Sequence, residues 1–386
     1  MEKLGIGIIG CGNISEIYFS NIPRFDNISL VAAADIDLAR AEAKAEKYGI
    51  KAMTVDDLIE DPEINIVLNL TIPQAHYEID MKALRAGKHV YSEKPLAATV
   101  EQGREIIETA KAKGLCVGCA PDTFMGGRAQ TMRKMLEDGW IGRPVAATAF
   151  FANQGCEMYH PAPMPWYQKG SGPVFDMAPY YLTFLVHMFG PAKRICSMTT
   201  KAYETRTITS QPLFGQTFDV EVPTHVTGTI EFKNGVIVTI LISFDVCDTQ
   251  LPRVEVYGTE GTMTMDDDDP YGGPNLYGGP LKLRRKPEAD FTMGPAEGVS
   301  RTPWMEVPLC YGYRQNSRAL GLSDMARAIR CGGNFRANGE VAYHVLEMMN
   351  ALNVSGETGQ YYEMQSTCEQ PALMPVGLLE WKSWEE

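Results

Sequence analysis

The chain predicts two joined units. Residues 1–122 read as a doubly wound α/β domain on a parallel sheet, and residues 123–386 as an α+β domain with a mostly antiparallel open sheet and helices. Three observations carry this. Strand-like and helix-like runs alternate up to Asp122, the pattern of parallel strands with crossover helices. Beyond it, strand candidates follow one another and are joined by hairpin signals such as Lys233-Asn234-Gly235. The length of 386 residues suits two cores.

In order, "KLGIGIIG" is a β-rich run ending in glycine, and a helix is expected from Asn13 to Ile22, stopped by Pro23. "ISLVAAAD" is the second strand, and "DLARAEAKAEKYG" is a helix of strong formers closed by Gly49. "INIVLNLT", "HVYS" and "LCVGCA" are further strands. They alternate with the helices "AHYEIDMKALRAG" and "VEQGREIIETAKAKG", which end at Gly87 and Gly114. In the second unit "AQTMRKMLEDG" is a helix, and strands are expected over 144–152, 192–203, 218–232, 235–246 and 252–265. A helix from Val174 to Phe189 separates the first two, and helices over 316–331 and 339–354 close the chain.

Composition excludes several classes. Hydrophobic content of 45% and charged content of 22% are those of a globular protein. A net charge of −13 disfavours nucleic acid and anionic membrane surfaces. No apolar run reaches the ~20 residues that span a bilayer, and the opening residues lack a secretory apolar segment. Nine irregularly spaced cysteines suit a reducing cytoplasm, which is the expected location. Cys116-Val-Gly-Cys119 has no second pair to complete a zinc site, so no metal is expected there. The acidic run 266–280 carries Tyr277 where a calcium loop needs glutamate, and reads as a loop.

The chemistry collects at strand ends. "GIIGCGNIS" carries Gly10-x-Gly12-x-x-Ser15 between a strand and a helix. Gly10 permits the tight turn, and Gly12 lets backbone approach a pyrophosphate. Asn13 and Ile14 open the helix whose N–H groups face the phosphates. Asp35 ends the second strand ~20 residues on, placed to accept from ribose hydroxyls and to repel a 2′-phosphate; this favours NAD over NADP. Arg40, nearby, falls on the solvated face of the next helix.

In such a sheet the loops at the carboxyl ends share one crevice. They include Thr71-Ile72-Pro73, His76 at the following helix, and Ser92-Glu93-Lys94-Pro95. His76 is readable equally as a cofactor contact or a helix cap. In "KHVYSEKPLAA" the proline biases Lys94 toward an extended conformation and projects it into the crevice, with Glu93 facing the other way.

"GIIGCGNIS", "VAAADIDLARA", "EKPLAATVEQGREII" and "DGWIGRPVAA" resemble the Gfo/Idh/MocA family of NAD(P)-dependent oxidoreductases, and the resemblance extends through "GSGPVFDMAPYYLTFLVHMFGP" and "GEVAYHVLEMMNAL". It implies a dinucleotide-binding Rossmann domain, Lys94 as catalytic acid/base, and Asp176 beside it. Tyr180 stands where many members have histidine, which leaves open whether Lys94 or Tyr180 carries the proton. Asp176 and Tyr180, four apart, would share a helix face. The resemblance also implies a homodimer or homotetramer paired through the second domain's sheet.

"NQGCEMYHPAPMPWYQKGSGP" is dense in polar and aromatic residues. Gln154, Tyr159, His160, Trp166 and Tyr167 suit stacking on a sugar ring and bonding its hydroxyls. The expected activity is hydride transfer between NAD and a secondary hydroxyl of a sugar, cyclitol or glycoside. Two alternatives stay open: glycoside cleavage through transient oxidation, and a non-catalytic NAD-binding regulator on the same fold. For Lys94 to act as base, burial must lower its pKa against the pull of Asp176.

Overall fold

The computed structural model describes residues 3–266, 276–286 and 302–382. The part of the acidic run at 267–275 lies outside them.

The first domain is a six-stranded parallel sheet in the order β3-β2-β1-β4-β5-β6. Its strands are β1 (Leu4–Ile9), β2 (Ile28–Ala34), β3 (Lys51–Met53), β4 (Ile66–Asn69), β5 (His89–Ser92) and β6 (Val117–Cys119). The crossovers are α1 (Ser15–Asn21), α2 (Leu38–Tyr48), α3 (Val55–Glu60), α4 (Pro73–Arg85) and α5 (Val100–Lys113). Local chemistry sets the helix limits. Asp37, Thr54 and Thr99 cap N-termini with their side chains, and Gly49 and Gly114 end helices in the left-handed region. The short β3 and α3 carry too little periodicity to be read from sequence. β1 pairs with both β2 and β4, so the strand order reverses there and opens the crevice that ligands use.

The second domain has a nine-stranded sheet ordered β16-β15-β14-β13-β7-β12-β11-β8-β17. These are β7 (Pro144–Ala152), β8 (Ala192–Thr200), β11 (His225–Phe232), β12 (Ile237–Ser243), β13 (Val254–Gly258), β14 (Gly261–Met265), β15 (Leu281–Arg285), β16 (Met305–Glu306) and β17 (Tyr362–Glu363). A separate two-stranded ribbon pairs β9 (Thr205–Thr207) with β10 (Thr217–Asp219). The large sheet is antiparallel except for the β7–β12 pair. The helices are α6 (Gly127–Glu137), α7 (Pro173–Asp176), α8 (Ala178–Phe189), α9 (Leu320–Cys331) and α10 (Gly339–Thr358). α10 packs on α5 of the first domain and on α8 and β8 of the second, so it joins the two cores.

Three expected elements are divided. The run 218–232 breaks before β11, where Pro223 has no N–H to give a ladder. The run 252–265 is a hairpin turning at Thr259-Glu260, whose N–H groups bond Arg143 and Ile141 instead. The helix expected over 174–189 is interrupted at Met177, between α7 and α8. Pro179 supplies no N–H to continue the ladder across that point. This last break shapes the site.

Candidate active site

β5 ends at Ser92, and the chain then bends through Lys94, Pro95 and Leu96 rather than running on extended. Glu93 and Lys94 diverge as neighbours at a strand end should. Glu93 is buried and accepts from the Tyr18 hydroxyl on α1 at 2.8 Å. Lys94 crosses to the second domain, where its Nζ donates to both Asp176 Oδ1 and the Asp176 carbonyl, each at 2.7 Å. That carbonyl is free because the helix breaks after Asp176, so an unspent backbone acceptor and a carboxylate meet one ammonium. The Tyr180 ring lies beside the same ammonium, 5.3 Å from centroid to Nζ. Lys94, Asp176 and Tyr180 therefore converge, the three residues that the family resemblance groups together.

The electrostatics differ from the expectation. Burial alone would depress the Lys94 pKa, but the Asp176 carboxylate together with Tyr180 and Glu93 outweighs it, and the group is held above its ordinary value. Lys94 stays an ammonium. An ammonium can only donate, and two of its three protons are committed to Asp176.

The crevice fits a dinucleotide. Gly10 has φ of 104°, and a Cβ there would meet the Leu70 carbonyl at 2.6 Å, so the turn requires glycine. At Gly12 a Cβ would meet nothing within 4 Å, so the face is open to an incoming phosphate. Among the described residues, the N–H groups of Gly12, Asn13 and Ile14 have no protein acceptor. Asp35 accepts from Cys11 N at 2.7 Å and from Asp37 N at 2.9 Å, tying the glycine turn to the ribose position. Arg40 pairs with Asp37 on the exposed surface. Ile36 and Ile72 are exposed beside these loops, apolar surface suited to a base.

His76 has become a brace. It is fully buried at the start of α4, with Nδ1 2.7 Å from the Pro95 carbonyl and Nε2 3.1 Å from that of Thr71, so it caps no helix and ties the Thr71–Pro73 loop to the Lys94 loop. Thr71 turns its hydroxyl back to Asn69, and Pro73 serves as the first residue of α4. Beneath them Asp80 is fully buried, accepting from Ser92 and Asn69; burial pushes its pKa up to about 7.

The 153–172 segment divides. Tyr159 is 59% exposed over the whole residue, while desolvation of its hydroxyl and the charge of Asp176 raise its pKa, so it remains a donor. His160 packs its ring on Trp166 with centroids 4.2 Å apart. Its Nδ1 accepts from Ala162 N, which leaves Nε2 to carry the proton of the neutral ring, and burial lowers the pKa of that ring. Gln154 turns to Cys247, donating to its carbonyl and sulfur. Tyr167 is fully buried, bonded to Glu157 under an Arg206 guanidinium, and is unavailable to a ligand. Sequence reasoning missed Arg318, whose Nη2 reaches the Tyr180 hydroxyl at 3.3 Å. No local pattern marks it, since it lies 138 residues from Tyr180 in a loop without motif.

A doubly wound sheet with an open glycine turn, an acidic strand end and a lysine–aspartate–tyrosine cluster at the same crevice defines a dinucleotide-dependent oxidoreductase. Residues 4–120 match the family described as "Oxidoreductase family, NAD-binding Rossmann fold", and residues 129–264 match the GFO/IDH/MocA C-terminal domain. The chain belongs to the Gfo/Idh/MocA family. It is 27% identical to 1,5-anhydro-D-fructose reductase of Ensifer adhaerens, covering 93% of this chain and 98% of that one. It is 31% identical to D-glucoside 3-dehydrogenase of Escherichia coli, covering 68% of this chain and 77% of that one. An NAD-binding oxidoreductase from Klebsiella pneumoniae superposes with a TM-score of 0.80 at 22% identity, over 94% of this chain and 99% of that chain.

Proposed function

We propose that the protein moves a hydride between NAD(H) and a secondary hydroxyl of a sugar, cyclitol or glycoside, with Lys94, Asp176 and Tyr180 at the reacting oxygen. The observation that carries this reading is the Lys94 ammonium, held by two Asp176 oxygens where β5 opens on the crevice, with Tyr180 alongside. Bound in the crevice, NAD supplies the hydride acceptor or donor. Lys94 donates its remaining N–H to the carbinol or carbonyl oxygen and polarises it. Because Asp176 keeps Lys94 protonated, the proton that leaves the alcohol passes to Tyr180, which takes it as a phenolate and in the reverse direction gives it back to the carbonyl oxygen as a phenol. Gly10, Gly12, Asn13 and Ile14 receive the pyrophosphate, and Asp35 receives the ribose, which favours NAD over NADP. Tyr159 and the Nε2 side of His160 offer hydroxyl-binding groups, and Trp166 fixes the His160 ring. The intact cluster speaks against a purely regulatory role, which needs no acid/base group.

Two features support an oligomer formed through the second sheet. Strand register places Met198, Thr227, Leu241 and Phe150 in one row across four strands, with Cys196, Thr229, Thr239 and Thr148 in the next. Met198 is 79% exposed, and these rows carry no charge, so the face suits a second copy. Among the described residues no helix is long and apolar enough to cross a membrane. The cysteine pattern supports a cytoplasmic setting.

The test is NADH absorbance with purified protein and a panel of 1,5-anhydro-D-fructose, methyl D-glucosides, levoglucosan and myo-inositol. Turnover with one class, and a ketone located by mass analysis, is the expected result. Bound NAD that no panel member reduces, with no NADH oxidised, overturns the enzymatic reading in favour of the regulator.

A further inference from the structure

We propose that Arg318 is a positioning residue for the proton step: its guanidinium holds the Tyr180 oxygen as an acceptor and thereby aims the phenol proton into the cleft. The inference rests on the reading of Tyr180 as proton carrier given above. A phenol can donate or accept, whereas a guanidinium can only donate. With Arg318 Nη2 at 3.3 Å from Tyr180 Oη, the phenol proton cannot point toward Arg318 and must point elsewhere. In the reductive direction the same N–H steadies the Tyr180 oxygen after its proton has passed to the carbonyl oxygen, and in the oxidative direction it steadies the phenolate that takes up the alcohol proton.

The attachment of Arg318 to the rest of the molecule gives this contact its use. Its Nη1 donates to Asn316 Oδ1 at 2.9 Å, which orients the plane of the fork. Asn21, at the end of α1, donates to the carbonyls of Asn316 and Arg318 at 3.1 and 3.0 Å. The next residue, Ala319, turns the chain sharply with φ of 80°, and Gly321 N is then bound by Asp122. Arg318 is thus gripped through its backbone by the dinucleotide-binding domain and reaches with its side chain to Tyr180 on α8 of the other domain. The proton carrier is set by reference to the domain that carries the hydride partner. Among the described residues the Arg318 guanidinium bonds Asn316 and Tyr180 directly, and the buried carboxylate of Glu93 acts on its charge from a distance.

The experiment is a double-variant comparison, read by NADH absorbance with the panel sugar of highest turnover. Arg318→Met should lower kcat by ~10- to 100-fold, less than the ~10²- to 10⁴-fold of a whole acid/base group because Arg318 only positions one, while leaving the sugar KM and NAD affinity nearly unchanged. Arg318→Lys, which restores a donor, should recover part of the loss. In a Tyr180→Phe background the added Arg318→Met change should cost less than about twofold, since both act through one hydroxyl. An equal penalty in both backgrounds, or a loss confined to the sugar KM, overturns the positioning role. Near-full activity of Tyr180→Phe instead overturns the reading of Tyr180, and silence of the whole panel overturns the enzymatic reading, each taking this inference with it. Should Arg318→Met fail to fold by circular dichroism, Arg318→Gln serves in the same comparison.

Discussion

Two ion-pair clusters of the molecule, one around Arg206 and one around Lys94, are built differently. At Arg206 the guanidinium is enclosed. It bonds Glu157, Asp245 and the carbonyls of Gln154 and Phe244, and it lies over the Tyr167 ring. All three charged side chains are less than 10% exposed. At Lys94 a single carboxylate faces a single ammonium, with exposures of 14% and 16%, and one ammonium proton is left uncommitted. The first cluster satisfies every carboxylate it buries and anchors the segment that carries Tyr159 and His160. The second keeps a donor in reserve beside a phenol. A buried charge whose partners are all protein groups is a strut; one that keeps unspent hydrogen-bonding capacity toward a cleft is available for chemistry.

Breaking the strut should have the largest effect. Arg206→Met strands Glu157 and Asp245 in the interior, and the loss should be about 3–5 kcal/mol of stability, measured as the shift of the urea midpoint. If the midpoint does not move, the cluster contributes nothing net. Lys94→Met should leave the urea midpoint and NAD affinity close to the parent's while turnover falls by ~10²-fold or more. A large stability loss with normal turnover in the folded fraction would make Lys94 a strut as well. Asp80, buried beneath both cofactor loops, tests the boundary between the two kinds. It binds its proton more tightly in the fold, so its contribution to native stability falls as pH rises from about 4 through about 7. Asp80→Asn should lack this dependence, gaining on the parent by on the order of 4 kcal/mol between pH 4 and pH 8 in parallel denaturation curves. Parallel curves of constant separation would contradict the assignment.

Two smaller effects concern recognition. Asp35→Ser should narrow the preference for NAD over NADP by roughly tenfold, read as a ratio of kcat/KM values, because the repulsion of a 2′-phosphate is removed. A parent enzyme that already uses NADP equally well would take Asp35 away from the ribose. His160→Ala should raise the sugar KM by about three- to tenfold, the scale of one neutral hydrogen bond, with NAD affinity unchanged. An equal loss of NAD affinity would move this segment to the cofactor side.

The sequence was most informative where function depends on consecutive residues. The glycine turn, Asp35 and the Lys94 loop each lie within a few residues of a strand end, and alternation of strand and helix places all strand ends on one crevice. That is why Gly10, Gly12, Asp35 and Lys94 were legible before any coordinates. The 153–172 segment was legible only as composition. Its aromatic residues look alike in sequence, yet Tyr159 is exposed and Tyr167 is in the core, because only the latter meets Glu157 and Arg206. His76 is similar: a histidine at a helix start says nothing about the two carbonyls that converge on it from loops 5 and 19 residues away.

By itself, then, the sequence determined the layered first domain, the family, the dinucleotide crevice and the identity of the lysine, aspartate and tyrosine. The layered domain and the glycine turn follow from short-range rules of turn geometry, periodicity and motif spacing; the family resemblance supplied the lysine, aspartate and tyrosine as a set. The tertiary structure decided what the three residues are. The helix break at Met177 freed the Asp176 carbonyl for Lys94, and that second acceptor accompanies the carboxylate that, together with Tyr180 and Glu93, outweighs burial and keeps the ammonium charged. It also brought Arg318 to Tyr180 across 138 residues of chain. Charge state and proton direction depend on distances between residues remote in sequence, and those distances exist only after both domains have packed.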